Sequence, residues 1–151
     1  LLSSMYHRFH APAHATLREV VYHSGDVWNV NPVALARVPG LFCRNERAVL
    51  RFDVGNSSTP LVLVPVAAVL VASMRIHAID QQLNLSYQGP HRFVSAQPCT
   101  KGEELGWFEH GSTIILFAPS ECEVLTTIQE GMRVQMGQAI YCHPFDTNLS
   151  S

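Results

Sequence analysis

Leu61-Val62-Leu63-Val64-Pro65-Val66-Ala67-Ala68-Val69-Leu70-Val71-Ala72-Ser73-Met74 is the longest apolar stretch of the chain, and its reading decides the fold. It has fourteen residues, with Pro65 inside, whereas a helix needs roughly twenty to cross a bilayer. A transmembrane helix is excluded here. Valine-rich composition favours a buried strand, and a proline is tolerated in a strand only at an edge, a bulge or a bend. The stretch therefore predicts one long buried strand bent near Pro65, or two short ones.

On either side, Thr16 to Tyr22, Ala48 to Val54, Thr113 to Phe117 and Cys122 to Ile128 have strand-like composition at spacings that suit antiparallel pairing. Turn chemistry separates them at Ser24-Gly25-Asp26, Val54-Gly55-Asn56-Ser57-Ser58, Gln88-Gly89-Pro90 and Ala118-Pro119-Ser120. Short helices are expected only at Pro32 to Val38, where a proline stands early, and near Ile79 to Leu85. The late run Glu130 to Ile140 looks like the hairpin of biotinyl- and lipoyl-type β-sandwich domains. It lacks a Met-Lys-Met-type attachment site, which argues against a swinging-arm carrier. The expected class is α+β, mainly β: packed antiparallel sheets, sandwich-like with barrel-sandwich-hybrid features, and few helices.

With 151 residues, 47% of them hydrophobic, the chain is long enough for one domain with a real core. Ten basic against twelve acidic residues give a formal charge of -2, so no global basic field exists to attract nucleic acid. Cys43, Cys99, Cys122 and Cys142 are widely spaced without a Cys-x-x-Cys pair, which suits reduced thiols rather than a disulfide framework. The Leu1-Leu2 start shows neither a basic n-region nor an initiator Met, so no targeting signal can be read. An N-terminally truncated chain is expected.

The chemistry concentrates at Gly111-Ser112-Thr113, within the stretch from Lys101 to Phe117. The tripeptide can be read as a place where a chain cuts itself. Attack of Ser112 on the Gly111 carbonyl turns the peptide into an ester, and β-elimination followed by hydrolysis leaves a pyruvoyl group at position 112. The alternative is a turn serine before a strand. Histidines are the second signal: eight in all, with His7, His10 and His14 spaced three and four apart. That spacing suits a metal on a helix face, but Pro12 and the strand-like segment after it make a helix improbable, and no metal is expected. Arg44-Asn45-Glu46-Arg47 is the densest polar patch, either a solvated turn with an ion pair or support for the active-site loop or a phosphate group.

Tyr6-His7-Arg8-Phe9-His10-Ala11-Pro12, Gly25 to Asn31, Val38 to Arg47 and Lys101 to Phe117 occur in the order and approximate spacing found in phosphatidylserine decarboxylases. The chain resembles the bacterial, membrane-associated, pyruvoyl-dependent branch of that family from about Leu2 to about Ile140. The resemblance implies a single decarboxylase-like domain over residues 1–151, cut between Gly111 and Ser112 into a β chain (1–111) and an α chain (112–151). Ser112 would be the precursor of a covalent pyruvoyl cofactor and the site of Schiff-base formation with phosphatidylserine, which is decarboxylated to phosphatidylethanolamine. The resemblance also implies His10 as base for self-cleavage, His7 as proton donor and contact for the substrate carboxylate, and Val30, Phe42 and Asn45 as substrate-binding positions. It further implies peripheral contact with the cytoplasmic side of a bacterial cell membrane, and is compatible with a homo-oligomer. The family carries an orienting Asp upstream of the His-Arg segment that nothing here matches, and Met5 stands where an Asp usually precedes Tyr6. The alternative is a processing-dead β-sandwich remnant serving as a structural or lipid-binding module.

Overall fold

The computed structural model describes residues 6–68, 73–79, 81–109 and 111–142. Eleven strands and two short helices follow in the order β1 (Arg8–His10), β2 (Ala15–His23), α1 (Pro32–Arg37), α2 (Leu41–Arg44), β3 (Arg47–Asp53), β4 (Leu61–Ala67), β5 (Ser73–Ile76), β6 (Gln82–Asn84), β7 (Arg92–Cys99), β8 (Glu104–Phe108), β9 (Ser112–Phe117), β10 (Glu123–Val124) and β11 (Tyr141–Cys142). The named strands pair antiparallel in a five-stranded sheet ordered β7-β2-β3-β4-β9, a four-stranded sheet ordered β1-β8-β5-β6, and a small β10-β11 pair. This is the mainly β, α+β class expected.

Alternation explains how the two larger sheets close on one core. Side chains of a strand point to opposite faces in turn. Leu17, Val20 and Tyr22 of β2, Ala48, Leu50 and Phe52 of β3, and Leu61, Leu63 and Ala67 of β4 supply the buried face of the five-stranded sheet. Phe9, Met74, Ile76, Leu83, Leu105 and Phe108 join them from the four-stranded sheet. One close approach depends on a missing side chain: a Cβ on Gly106 would lie 2.0 Å from the Arg75 carbonyl oxygen and 2.8 Å from the Phe9 ring.

The apolar stretch divides as one of the two expectations had it. Strand β4 ends at Ala67 and β5 begins at Ser73; Val69 to Ala72 lie outside the described residues. Pro65 does not break β4. It stays in register with Ile114 of β9, and on the other edge pairing with β3 runs from Arg47–Val66 to Leu50–Leu63, skipping Val64 and Pro65, the latter lacking an N–H. Helix α1 forms as expected. Pro32 is in its first turn, and the Asn31 side chain accepts from the Ala34 N–H at 2.8 Å.

Three expectations need correction. Instead of a helix near Ile79 to Leu85 there is a turn followed by β6, paired with β5 through Met74–Leu83. Leu83 is fully buried, so one core contact fixes a short strand that composition alone does not mark. Cys122 to Ile128 forms a strand only at Glu123–Val124. The hairpin expected over Glu130 to Ile140 is an arc of turns, closed at its base by Val124–Tyr141 pairing and by the Leu125 N–H donating to the Ile140 carbonyl at 3.0 Å.

Candidate active site

The chain passes between the two large sheets twice in close proximity. After β4 it leaves the five-stranded sheet for β5, and after β8 it leaves the four-stranded sheet for β9. The Gly111–Ser112 bond lies on the second passage, at the first residue of β9. The first passage supplies its partner, since the Ala68 N–H donates to the Gly111 carbonyl oxygen at 3.1 Å. Ala68 is buried and Ser112 fully so. A carbonyl polarised by a fixed donor in a dry setting is activated toward attack and has a ready site for the oxyanion that attack creates.

Ser112 pairs with Ala67, and on its other side Ala67 donates its N–H to the Glu46 carbonyl at 2.9 Å. Glu46, Ala67 and Ser112 therefore form one row across three neighbouring strands. The residues before Glu46 lock this row in place. Asn45, fully buried, accepts from the Trp28 N–H at 3.1 Å and donates to the carbonyls of Trp28 at 2.8 Å and Ala67 at 3.0 Å. Its carboxamide holds backbone on both sides. Gly25 permits the approach: a Cβ there would meet the Arg44 carbonyl oxygen at 2.2 Å, and instead the Asp26 N–H bonds that oxygen at 2.8 Å. The Arg47 guanidinium closes the loop on the carbonyls of Cys43 and Asn45, at 2.6 and 3.0 Å.

The two motif histidines belong to β1 and its approach, His7 just before the strand and His10 at its end. His10 ends β1, with its Nε2 3.1 Å from the Tyr6 phenol and the two rings stacked at 5.7 Å. Burial holds the His10 pKa below its ordinary value; Glu104 opposes that and Arg8 adds to it. The shift favours the neutral ring, which can accept a proton. His7 has its Nε2 buried, and its carbonyl accepts from the Phe108 N–H at 2.9 Å. His14, the third of the cluster, is exposed and accepts from the Lys101 N–H at 3.4 Å.

A cavity of about 950 Å³ opens beside His10, with Tyr6 and Phe9 on one wall and Leu63, Ile114 and Leu116 on another. Ser112, Ile114 and Leu116 share a face of β9 by alternation, so the serine stands one step beyond the cavity wall, in full burial. Arg8, Lys101 and Arg133 also border the cavity, giving it an apolar floor with cationic groups. Val30 and Phe42 are half-buried in the segment before β3, and neither lines this cavity.

Residues 1–142 match the family model described as phosphatidylserine decarboxylase. The chain belongs to the phosphatidylserine decarboxylase family. It is 36% identical over 144 residues to a phosphatidylserine decarboxylase proenzyme of Aliivibrio fischeri (strain MJ11), a match covering 91% of this chain and 50% of that protein. A proenzyme of the same description from Erwinia tasmaniensis is 33% identical over 148 residues, covering 89% of this chain and 47% of its own length. One from Brevibacillus brevis is 36% identical over 138 residues, covering 89% and 49%. The chain spans about half the length of the curated relatives it matches. Of the four motif segments, Lys101 to Phe117 contains the second passage, and Asn45 of Val38 to Arg47 bonds both Trp28 of Gly25 to Asn31 and Ala67 beside the first. The Ala68 N–H beside Gly111 was not singled out in the sequence, since a backbone group has no residue signature, and Glu46 was marked only by its place in the Arg44 to Arg47 patch.

Proposed function

We propose that this chain is the catalytic portion of a pyruvoyl-dependent decarboxylase that cuts itself between Gly111 and Ser112 and then converts phosphatidylserine to phosphatidylethanolamine. The observation that carries the reading is the Gly111 carbonyl, bonded to the Ala68 N–H at 3.1 Å and followed by a fully buried serine. In this scheme Ser112 Oγ adds to the Gly111 carbonyl carbon, Ala68 bears the developing oxyanion, and neutral His10 takes the hydroxyl proton. Asn45 and Arg47 keep the Ala67–Ala68 backbone from shifting as charge develops.

The pocket fits the group that cleavage would generate. Position 112 would remain anchored through β9 to β4, in a dry interior beside a donor already aimed at a carbonyl. A pyruvoyl ketone there supplies an electron sink for the electrons released when carbon dioxide departs. His7 is assigned to hold the substrate carboxylate and to return a proton to the α-carbon. Val30 and Phe42, outside the cavity beside His10, are assigned to contact the substrate as it enters, whereas the Asn45 carboxamide is taken up by backbone bonds. The apolar cavity with Arg8, Lys101 and Arg133 at its border suits a two-chain lipid with an anionic headgroup. The protein would work at the cytoplasmic face of a bacterial membrane: Trp28, Val33 and Leu35 are exposed apolar residues around α1, and no described helix is long and apolar enough to cross.

Intact-mass measurement tests the reading. The full-length wild-type protein should give fragments ending at Gly111 and beginning at a converted residue 112, while Ser112→Ala stays whole. His10→Ala should block cleavage. His7→Ala should allow cleavage but lower carbon dioxide release by roughly 100-fold or more, the scale of a lost general acid. A full-length wild type that stays whole, or an alanine variant cut at the same bond, would leave the remnant reading standing instead.

A further inference from the structure

Glu46 is a charged-type side chain where the fold gives it no structural work. It is fully buried, and among the described residues neither carboxyl oxygen meets a hydrogen-bond partner in bonding geometry. Tyr22 is its polar neighbour, yet the Tyr22 hydroxyl donates to the Asn84 carbonyl at 2.8 Å. Burial raises the Glu46 carboxyl to about 7, with Tyr22 opposing the shift. A carboxyl left unsatisfied in a core is costly, and such a feature persists where another property depends on it.

The register shows what that property serves. Glu46 and Ala67 are backbone-bonded partners, and Ala67 pairs with Ser112. Directly opposed residues project to the same face, so Glu46 and Ser112 point to the same side of the sheet, toward the core that holds Ala48 and Ala67. Two strand spacings put their Cα atoms on the order of 10 Å apart. Only the Ala67 methyl group stands between, and a glutamate side chain is long enough to extend over it.

Resting on the self-cleavage reading above, we propose that Glu46 is the base that removes the α-proton of residue 112 once the ester has formed. In the first step Ser112 Oγ bonds to the Gly111 carbonyl carbon, the Gly111–Ser112 C–N bond breaks, and the nitrogen takes a proton. Residue 112 is then released on its N-terminal side and can turn toward Glu46. Glu46 accepts the proton from Cα, the C–H electron pair becomes the Cα–Cβ double bond, the Cβ–Oγ bond breaks, and Gly111 leaves as a carboxylate. The enamine takes up water and loses ammonia to give the ketone. No oxidant or reductant is required, and the carboxyl returns its proton to solvent or to the departing amine.

The experiment follows the full-length protein, with Glu46→Gln and Glu46→Asp beside the wild type, using intact mass and hydroxylamine to trap the ester. The wild type should convert residue 112 to the ketone. Glu46→Gln should still form a hydroxylamine-sensitive ester but convert at least about 100-fold more slowly, the usual scale for a lost general base, and its α fragment should begin with an unconverted serine. Glu46→Asp should accumulate the same ester and convert at an intermediate rate, which keeps the test decisive should the amide disturb folding. Conversion of both variants at the wild-type rate would overturn the assignment, as would a folded Glu46→Gln chain that forms no ester. A wild type with neither ester nor cleavage would instead sink the self-cleavage reading, and this inference with it.

Discussion

Glu46 and Glu121 are the same residue in opposite settings. Glu121 sits at the surface and gathers donors: the hydroxyls of Ser57, Ser58, Thr59 and Ser120 at 2.9 to 3.3 Å, and the Ser58 N–H at 3.3 Å. Its own backbone N–H first, and then Ser58, hold its pKa down at about 2. Glu46 lies in the core without such donors and is pushed up to about 7. The surface loop uses a carboxylate as a clasp, whereas the residue before β3 is a buried carboxyl without such donors, at a cost to stability. The folding scaffold thus treats the two regions by different rules, and substitutions can test that difference.

The largest expected effect is at Asn45. Asn45→Ala removes three hydrogen bonds to backbone and leaves buried carbonyls unmatched, which should cost about 3 kcal/mol or more. Urea unfolding at pH 7 measures this. A loss as small as that of a surface substitution would mean that the crossover is not held as rigidly as its bonding implies.

Next comes Glu46→Gln, with the opposite sign. A buried carboxyl whose pKa is raised binds its proton more tightly when folded than when unfolded, so the folded state loses stability as pH rises from about 4.5 to about 7. The isosteric amide escapes that penalty. It should be more stable than wild type by about 3 kcal/mol at pH 8 and nearly equal to it at pH 4. Thermal melts across that range check both ends. Equal melting at pH 8 would show that Glu46 finds a partner, and the contrast with Glu121 would collapse.

Gly106→Ala sharpens the packing side, because its Cβ collides with the Arg75 backbone. About 1 to 3 kcal/mol is expected for overpacking, read as a lowered urea midpoint. The smallest global effect belongs to Glu121→Gln. A depressed carboxylate contributes stability above its unfolded pKa, and that contribution fades as pH falls toward about 2. Removing it should loosen Ser57 to Thr59, seen as faster amide exchange at Ser58 above pH 5, while the overall melting temperature hardly moves. A large drop in melting would make the clasp a structural keystone.

Local chemistry made part of this legible from the chain. Strands β2, β3 and β9 announce themselves through branched and aromatic residues, and α1 through Asn31 and Pro32. Strand β6 does not: Gln82-Leu83-Asn84 is polar apart from Leu83, and only the contact with β5 makes it a strand. At the site, the motif histidines and the Gly-Ser pair were visible in the sequence. The Ala68 N–H bonded to the Gly111 carbonyl was not, since a backbone N–H has no residue signature. Glu46 looked like part of a solvated turn because burial is set by Asp26, Ala67 and the opposite sheet, all distant in the chain.

One feature of β9 has a consequence for what happens after a break at its first residue. Because Ser112 opens the strand, scission there removes none of the six residue pairs that join it to β4, from Ala67–Ser112 to Val62–Phe117. The two pieces would remain interlocked like strands of a ligated hairpin from which only the connecting link has been removed. Denaturing gels would show two bands, while size exclusion under native conditions would show one particle of unchanged hydrodynamic radius.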